Sequence, residues 1–126
     1  MAISAGALTA ELSSCSSLPV YRTAMNGNAI TVPLSLFGEG DVHIIRADNY
    51  GYDIALRQEQ DGSYLALLLL CTHAATQLTS VGDGYSCNLH GSKFDRHGVV
   101  THGPAERPLK RFPTGVSANS IVISLG

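Results

Sequence analysis

The sequence predicts an all-β fold, and three observations support that class. The chain has 126 residues, enough for one domain, and only 14% of them are charged, against about 25% in an average soluble domain, which argues against disorder. Short apolar runs alternate with turns rich in Gly, Asp and Asn, as in a sandwich or barrel of antiparallel strands. No stretch shows the periodicity of an amphipathic helix of convincing length.

The strands are assigned in chain order, from β-branched and apolar runs between turn residues. They cover residues 29–37, 42–47, 52–57, 63–71, 84–87, 93–95, 99–102, 108–112 and 120–125. The pair Asp61-Gly62 predicts a hairpin, since Asp-Gly favours tight two-residue turns. Residues 1–19 are predicted to be an N-terminal arm that ends at Pro19, and residues 20–126 to form the domain.

Composition and hydropathy argue against two classes of protein. The formal net charge is −2 and the pI is about 6.2, whereas a nucleic-acid-binding domain would be strongly basic. The longest apolar run, residues 65–71, is far shorter than the roughly 18 residues that a membrane-spanning helix needs. We therefore expect no nucleic-acid partner, and we interpret residues 65–71 as a buried strand.

The N-terminal segment contains one of the three cysteines. Leu12-Ser13-Ser14-Cys15 resembles the bacterial lipoprotein signal-peptidase box, in which the cysteine becomes the acylated first residue. An ordinary secretory signal is not predicted, because no Lys or Arg opens the segment and Glu11 interrupts it. Two interpretations stay open: a lipid anchor at Cys15, and a flexible arm with an incidental cysteine.

Four residues that bind soft metals lie in two short pairs. Cys71 and His73 form a Cys-x-His pair, and Cys87 and His90 form a Cys-x-x-His pair after thirteen intervening residues. Each pair follows a predicted strand in a turn-rich stretch, so two loops can converge on one site. Thiolates and imidazoles favour zinc or iron–sulfur ligation. Three interpretations compete: ordinary buried cysteines and histidines, a Cys₂His₂ zinc site, and a [2Fe–2S] centre in which two His replace two Cys on one iron.

The motifs around these pairs closely resemble the Rieske iron–sulfur family. They are CTH at residues 71–73, CNLHGSKFD at 87–95, GPA at 103–105 and PL at 108–109. The resemblance implies the family's all-β fold, an antiparallel β-sandwich or barrel with a two-loop cluster-binding subdomain, and a [2Fe–2S] cofactor. The GPA stretch resembles the family's proline loop, which covers the cluster.

The resemblance also implies a role for each ligand. Cys71 and Cys87 would bind the buried iron through their thiolates. His73 and His90 would bind the outer iron through ring nitrogens. Ser92 would donate its hydroxyl proton to a bridging sulfide, which would favour the reduced cluster and raise the potential; the alternative is an ordinary turn residue.

Two departures from the family pattern affect the expected properties. Members in membrane complexes tie the two loops with a disulfide, whose cysteines would fall at Thr76 and Leu89. Phe94 stands where the family often has a tyrosine, so one hydroxyl donor is lost while that of Ser92 is kept. We therefore expect an intermediate potential within the family's range of about −150 to +300 mV.

Basic residues gather near the motifs. Residues 91–112 contain two acidic residues and five basic ones, namely Lys93, Arg96, Arg107, Lys110 and Arg111. Such a rim could steer an acidic redox partner, or it could be a solvated edge. His97 and His102 fit neither metal-binding pair and are predicted to be surface residues.

The predicted function is one-electron transfer through a Rieske [2Fe–2S] cluster. The expected partner is a redox protein, namely a cytochrome, a quinol-linked complex or an oxygenase. The expected location is the periplasmic side of a bacterial membrane, with a lipid anchor at Cys15. One alternative is a soluble, cytoplasmic ferredoxin that serves an oxygenase or reductase, and another is a zinc-stabilised binding module. No nucleophile–base pair suggests catalysis by this chain alone, so we expect a carrier or the Rieske subunit of an oxidoreductase.

Overall fold

A computed structural model describes residues 18–38 and 41–126. Within that part the chain forms twelve short strands and one 3₁₀ segment, Leu34–Gly38. The strands are β1 (Val20–Thr23), β2 (Ala29–Pro33), β3 (Val42–Ala47), β4 (Ile54–Gln58), β5 (Tyr64–Leu68), β6 (Thr79–Val81), β7 (Gly84–Ser86), β8 (Lys93–Phe94), β9 (Val100–His102), β10 (Arg111–Phe112), β11 (Thr114–Ser117) and β12 (Ser120–Ser124). Among the described residues we find no helix with the length and apolar character that a membrane crossing requires.

The strands form three sheets, which confirms the all-β class. One has five strands in the order β1-β3-β4-β5-β10, one has three in the order β11-β12-β2, and one has four in the order β6-β7-β8-β9. Neighbouring strands are antiparallel except β1 and β3, which are parallel. Parallel neighbours need a long connection, and here β2 and the 3₁₀ segment lie between them in the chain.

The five-stranded sheet lies between two apolar cores, because its central strands are buried on both faces. Along β5, Leu65 and Leu67 belong to one core whereas Ala66 and Leu68 belong to the other, as the two-residue period of a strand requires. The second of these cores is shared with the three-stranded sheet, and we call these two sheets the sandwich base. The first is shared with the four-stranded sheet and residues 71–76, 87–92 and 103–109, which we call the loop end.

The sandwich base is held together by aliphatic side chains with no exposed surface. Those with 0% exposure are Ile30, Val32, Ile45, Ile54, Leu56, Ile121 and Ile123. Complete burial of one such side chain contributes about 1.5–3 kcal/mol. The base therefore has enough apolar burial to act as a rigid support for the loop end.

The observed strands agree with several predicted ones and differ at informative places. β3 has the predicted bounds, 42–47. The predicted strand at 29–37 ends early, at Pro33, because its partner β12 begins at Ser120, which pairs with Pro33. The next backbone amide, that of Leu34, donates to the carbonyl of Asn119, and the chain turns away. The strands β1, β6 and β11 were not predicted, since each is short and largely polar or exposed.

Candidate metal centre

The first ligand loop, residues 71–76, is a tight turn that closes on its cysteine. The backbone N–H of Cys71 donates to the carbonyl of Thr76 at 2.8 Å, and the N–H of Ala75 donates to the carbonyl of Cys71 at 2.9 Å. Ala75 has a φ of 52°, in the left-handed region that costs a residue with a Cβ about 1–2 kcal/mol. The turn leads directly from β5 towards β6, so its position is set by the central sheet.

The second ligand loop, residues 87–92, repeats the same turn. The N–H of Cys87 donates to the carbonyl of Ser92 at 2.8 Å, and the N–H of Gly91 donates to the carbonyl of Cys87 at 3.0 Å. Gly91 occupies the position that corresponds to Ala75 and has a φ of 85°, which glycine adopts without steric cost. The loop connects β7 to β8. Two equivalent turns therefore present one cysteine each from neighbouring parts of the loop end.

The two cysteines are buried, free and adjacent. Cys71 and Cys87 are each 2% exposed, and neither forms a disulfide. Burial raises the pKa of the Cys87 thiol, but the backbone N–H groups of His90 and Leu89, together with the Cys71 side chain, lower that pKa below its ordinary value. Because the thiolate is the form that binds metals, this environment prepares Cys87 for ligation.

The two histidine rings contact each other at the surface. His73 and His90 are both exposed, and their ring centroids lie 5.2 Å apart with the ring planes at 77°. The structure therefore brings all four predicted ligands together, with sulfur donors inside and imidazoles outside. The inner and outer donors differ in solvent contact, which suits the two inequivalent iron positions that the resemblance implies.

Ser92 has no exposed surface, and its hydroxyl has a defined partner. Its Oγ accepts a hydrogen bond from the backbone N–H of Ala105 at 3.0 Å. A serine hydroxyl has one donor and two acceptor sites, so this bond leaves its proton available to donate. Its position at the end of the second ligand loop suits the role that the resemblance implied.

Residues 103–109 contribute a third element, which we call the cover segment. The Oγ1 of Thr72 donates to the carbonyl of Arg107 at 2.7 Å, and the Nη2 of Arg107 donates to the carbonyl of Thr72 at 3.1 Å. The peptide bond between Gly103 and Pro104 is cis. Sequence reasoning did not identify this reciprocal pair, because its members are 35 positions apart and neither carries a local signal.

The basic residues do not form one rim. Arg107 and Lys110 line a groove of about 570 Å³ that also contains His73. Lys93 and Arg96 line a separate cavity on the four-stranded sheet. The positive charge that is close to the imidazoles therefore comes from the cover segment and the residue that follows it.

The other residues singled out in the sequence are two further histidines, Phe94 and Cys15. His97 and His102 are exposed, as predicted, and His97 lies 3.4 Å from a carboxylate oxygen of Glu59. Phe94 is 2% exposed and belongs to the core of the loop end. Cys15 and the pattern before it lie outside the described residues, so the lipid anchor stays a prediction.

The donor set fits a [2Fe–2S] cluster. In the part of the chain that the structure describes, no group of three or more His, Cys, Asp or Glu side chains could hold one metal ion. A [2Fe–2S] cluster with mixed ligands needs a different set of donors, because one iron binds two cysteines and the other binds two histidines. Two adjacent buried thiols and two adjacent exposed imidazoles match that set in number and in type.

Comparison with known proteins gives relatives among iron–sulfur subunits. The cytochrome b6-f complex iron–sulfur subunit of Chlorobaculum thiosulfatiphilum is 29% identical over 110 residues, which are 85% of this chain and 59% of that subunit. The cytochrome b6-f complex iron–sulfur subunit 2 of Nostoc sp. is 34% identical over 73 residues, 55% of this chain and 41% of the relative. The chain thus spans less than two thirds of the length of these relatives.

A solved structure and a family profile agree with these relatives. The cyanobacterial plasma membrane Rieske protein of Synechocystis PCC 6803 aligns with a TM-score of 0.51 and 29% identity, over 58% of this chain and 77% of that one. The zinc-stabilised module gains no support from any of these matches. Residues 32–113 match the Rieske [2Fe-2S] domain, and because this match covers more than half of the chain, the protein belongs to the Rieske family, whose cofactor is a [2Fe–2S] cluster.

Proposed function

We propose that this chain is a one-electron carrier whose cluster is held by the two ligand loops. Cys71 and Cys87 are assigned to the inner iron. His73 and His90 are assigned to the outer iron. The observation that carries the proposal is that two equivalent turns hold two adjacent buried thiols and two adjacent exposed imidazoles.

The division between buried and exposed donors explains how the chain would act as an electron carrier. A bound [2Fe–2S] cluster supplies the redox chemistry by accepting and releasing one electron. The buried thiols keep the inner side away from water, which limits competing reactions. His73 and His90 are exposed, so they are the point at which a partner protein could come closest to the cofactor.

Ser92 is proposed to tune the potential. Its Oγ accepts from Ala105, which orients the hydroxyl and leaves its proton for a sulfide of the cofactor. A hydrogen bond to sulfide favours the more negative, reduced state and therefore raises the potential. Phe94 offers no such donor, which supports an intermediate value.

The proposed partner is a redox protein with an acidic docking surface. Arg107 and Lys110 lie in the groove beside His73, and opposite charges guide association and fix orientation. The relatives are named as cytochrome b6-f iron–sulfur subunits and as a plasma membrane Rieske protein. These names support a membrane redox complex as the partner and the periplasmic side as the location.

The finer assignment is a quinol-linked complex and a lipid anchor at Cys15. It is supported by the named relatives and by the box-like pattern Leu12-Ser13-Ser14-Cys15. Mass spectrometry of the protein from its native membranes would check the anchor. A mature chain that begins with an acylated Cys15 is the expected result, and an unmodified Cys15 preceded by the intact segment would contradict it.

A redox titration followed by EPR of the reduced protein tests the main proposal. We expect a rhombic reduced signal, and a potential well above about +100 mV would agree with the quinol-linked assignment. A potential near about −150 mV would instead indicate a soluble, ferredoxin-like donor to an oxygenase or reductase. A colourless, EPR-silent protein that contains zinc would refute electron transfer.

A further inference from the structure

The cover segment is fixed at two buried positions and exposed between them. Ala105 is 4% exposed and Leu109 is 3% exposed. The N–H of Ala105 donates to Ser92 Oγ at 3.0 Å, and the N–H of Leu109 donates to the carbonyl of Gly98 at 2.9 Å. Arg107 lies between these two anchors and is exposed, so burial does not determine where its side chain goes.

Two hydrogen bonds connect Arg107 with the first ligand loop. Its guanidinium donates to the carbonyl of Thr72, and its own carbonyl accepts from the Thr72 hydroxyl. Thr72 stands between Cys71 and His73 in the chain. A change in the position of Thr72 would therefore displace one inner and one outer donor together.

The cover segment thus forms a non-covalent bridge between the two ligand loops. One end of the bridge is the pair of Thr72 and Arg107, and the other is the bond from Ala105 to Ser92. The cysteines of the described residues, Cys71 and Cys87, are both free. Within the described ranges, therefore, no disulfide links the loops, and hydrogen bonds through the cover segment do so instead.

We propose that Arg107 is a positioning residue that clamps the cover segment to Thr72 and so maintains the spacing of the two ligand loops around the cofactor. The inference rests on the proposed function, because it assigns the cluster to these loops. The clamp acts through the backbone of Thr72 and not through direct contact with a metal.

The charge of Arg107 and its clamp can be separated experimentally, because Lys110 provides a matched control. Lys110 lines the same groove beside His73, but its ammonium lies 5.5 Å from the ring centroid of Phe112, which belongs to the core of the sandwich base. Lys110→Leu therefore removes an equal charge near the imidazoles and leaves both bonds to Thr72 in place.

The experiment compares the cluster-loaded chain with Arg107→Leu, Lys110→Leu, Thr72→Val and Thr72→Ser. The first readout is the half-life of the visible absorbance at one fixed temperature. We expect Arg107→Leu and Thr72→Val each to shorten it about 2- to 10-fold, the effect of one lost hydrogen bond. Thr72→Ser keeps the hydroxyl and should therefore have the half-life of the wild type. Lys110→Leu should have that half-life as well.

The midpoint potential measures the effect of charge separately, so that the half-life can report the clamp. Arg107→Leu and Lys110→Leu should both lower the potential, because each removes a positive charge that favours the reduced state. Thr72→Val should shorten the half-life without that loss of charge. Equal half-lives for Arg107→Leu and Lys110→Leu, or for Thr72→Val and Thr72→Ser, would overturn the clamp.

Hydrogen exchange at the Ala105 amide keeps this test separate from the proposed function. Arg107→Leu should accelerate that exchange, and Lys110→Leu should not. If the wild-type chain binds no cluster, the proposed function fails, while this exchange measurement still decides whether Arg107 holds the cover segment. Unchanged exchange in Arg107→Leu would refute the clamp in either case.

Discussion

The sandwich base and the loop end differ in what holds their residues in place. The base consists largely of strands of four to six residues around completely buried aliphatic side chains. The loop end has strands of two or three residues, and its core includes both free cysteines. Apolar burial specifies the base, whereas individual hydrogen bonds and special backbone conformations specify the loop end.

The difference has a functional consequence, since the two regions share one sheet. β5 buries Leu67 towards the loop end and Leu68 towards the base. A rigid base therefore supports a loop end whose geometry can be adjusted by single residues. We expect mutations in the base to change stability and mutations in the loop end to change the cofactor.

The largest expected effect is loss of the cluster from one ligand. Cys87→Ser replaces a thiolate by a hydroxyl that is a poor ligand for iron, so the purified protein should be colourless and contain little iron. Far-UV circular dichroism should still report the strands of the sandwich base. Cys15→Ser is the matched control and should keep its colour; a Cys87→Ser protein with a normal iron content would contradict the ligand assignment.

A cavity in the sandwich base should lower stability and leave the cofactor unchanged, the reverse of the effect of Cys87→Ser. Ile121 is 0% exposed, so Ile121→Ala should lower the free energy of unfolding by about 2–5 kcal/mol. The midpoint potential should remain that of the wild type, because the ligand loops are untouched. Denaturant unfolding and voltammetry of the same sample would measure both, with Val116→Ala, 56% exposed, as the control. If the potential of Ile121→Ala changed along with its free energy of unfolding, the distinction between the sandwich base and the loop end would be contradicted.

Ser92→Ala should lower the potential and still bind the cluster, although loss of the acceptor of the Ala105 N–H should also shorten the half-life of the cluster. A hydrogen bond to a charged acceptor contributes about 1.5–3 kcal/mol. Because a bridging sulfide would accept this bond in both redox states, only its strengthening on reduction changes the potential, so the decrease should be smaller than the ~65–130 mV to which the whole bond corresponds at 59 mV per factor of ten for one electron. Ser86→Ala, on the strand before the second ligand loop, is the control. An unchanged or increased potential in Ser92→Ala would exclude the proposed bond to sulfide.

The smallest expected effects compare the two equivalent turns directly. Gly91→Ala places a Cβ at a φ of 85° and should strain the second loop by about 1–2 kcal/mol, of which about 0.4–1 kcal/mol is offset by the lower entropy of the unfolded chain. Ala75→Gly removes a Cβ at a φ of 52°, and the relief should be largely offset by about 0.4–1 kcal/mol of unfolded-chain entropy. The rate of cluster loss would be measured for each variant. A faster loss in both variants would show that the two turns do not have the same conformational requirement at this position.

The sequence predicted the all-β class and singled out the two Cys/His pairs that the structure brings together, because both depend on local patterns. Residues 42–47 form β3 as predicted, since a β-branched run between two turns is sufficient to define a strand. The Cys-x-His and Cys-x-x-His pairs identified their own loops. The strand β1 was missed because its sequence, VYRT, is half exposed, and only the parallel contact with β3 defines it.

What the sequence determined by itself was the all-β class and the two Cys/His pairs that are the candidate donors, because composition and spacing are properties of the chain. What only the tertiary structure decided was the end of β2 at Pro33, the separation of Lys93 and Arg96 from Arg107 and Lys110, and the bridge through Arg107. These features depend on contacts between distant residues, such as Thr72 with Arg107 and Ser92 with Ala105. No local pattern encodes such pairs, because the folded sheets alone bring them within hydrogen-bonding distance.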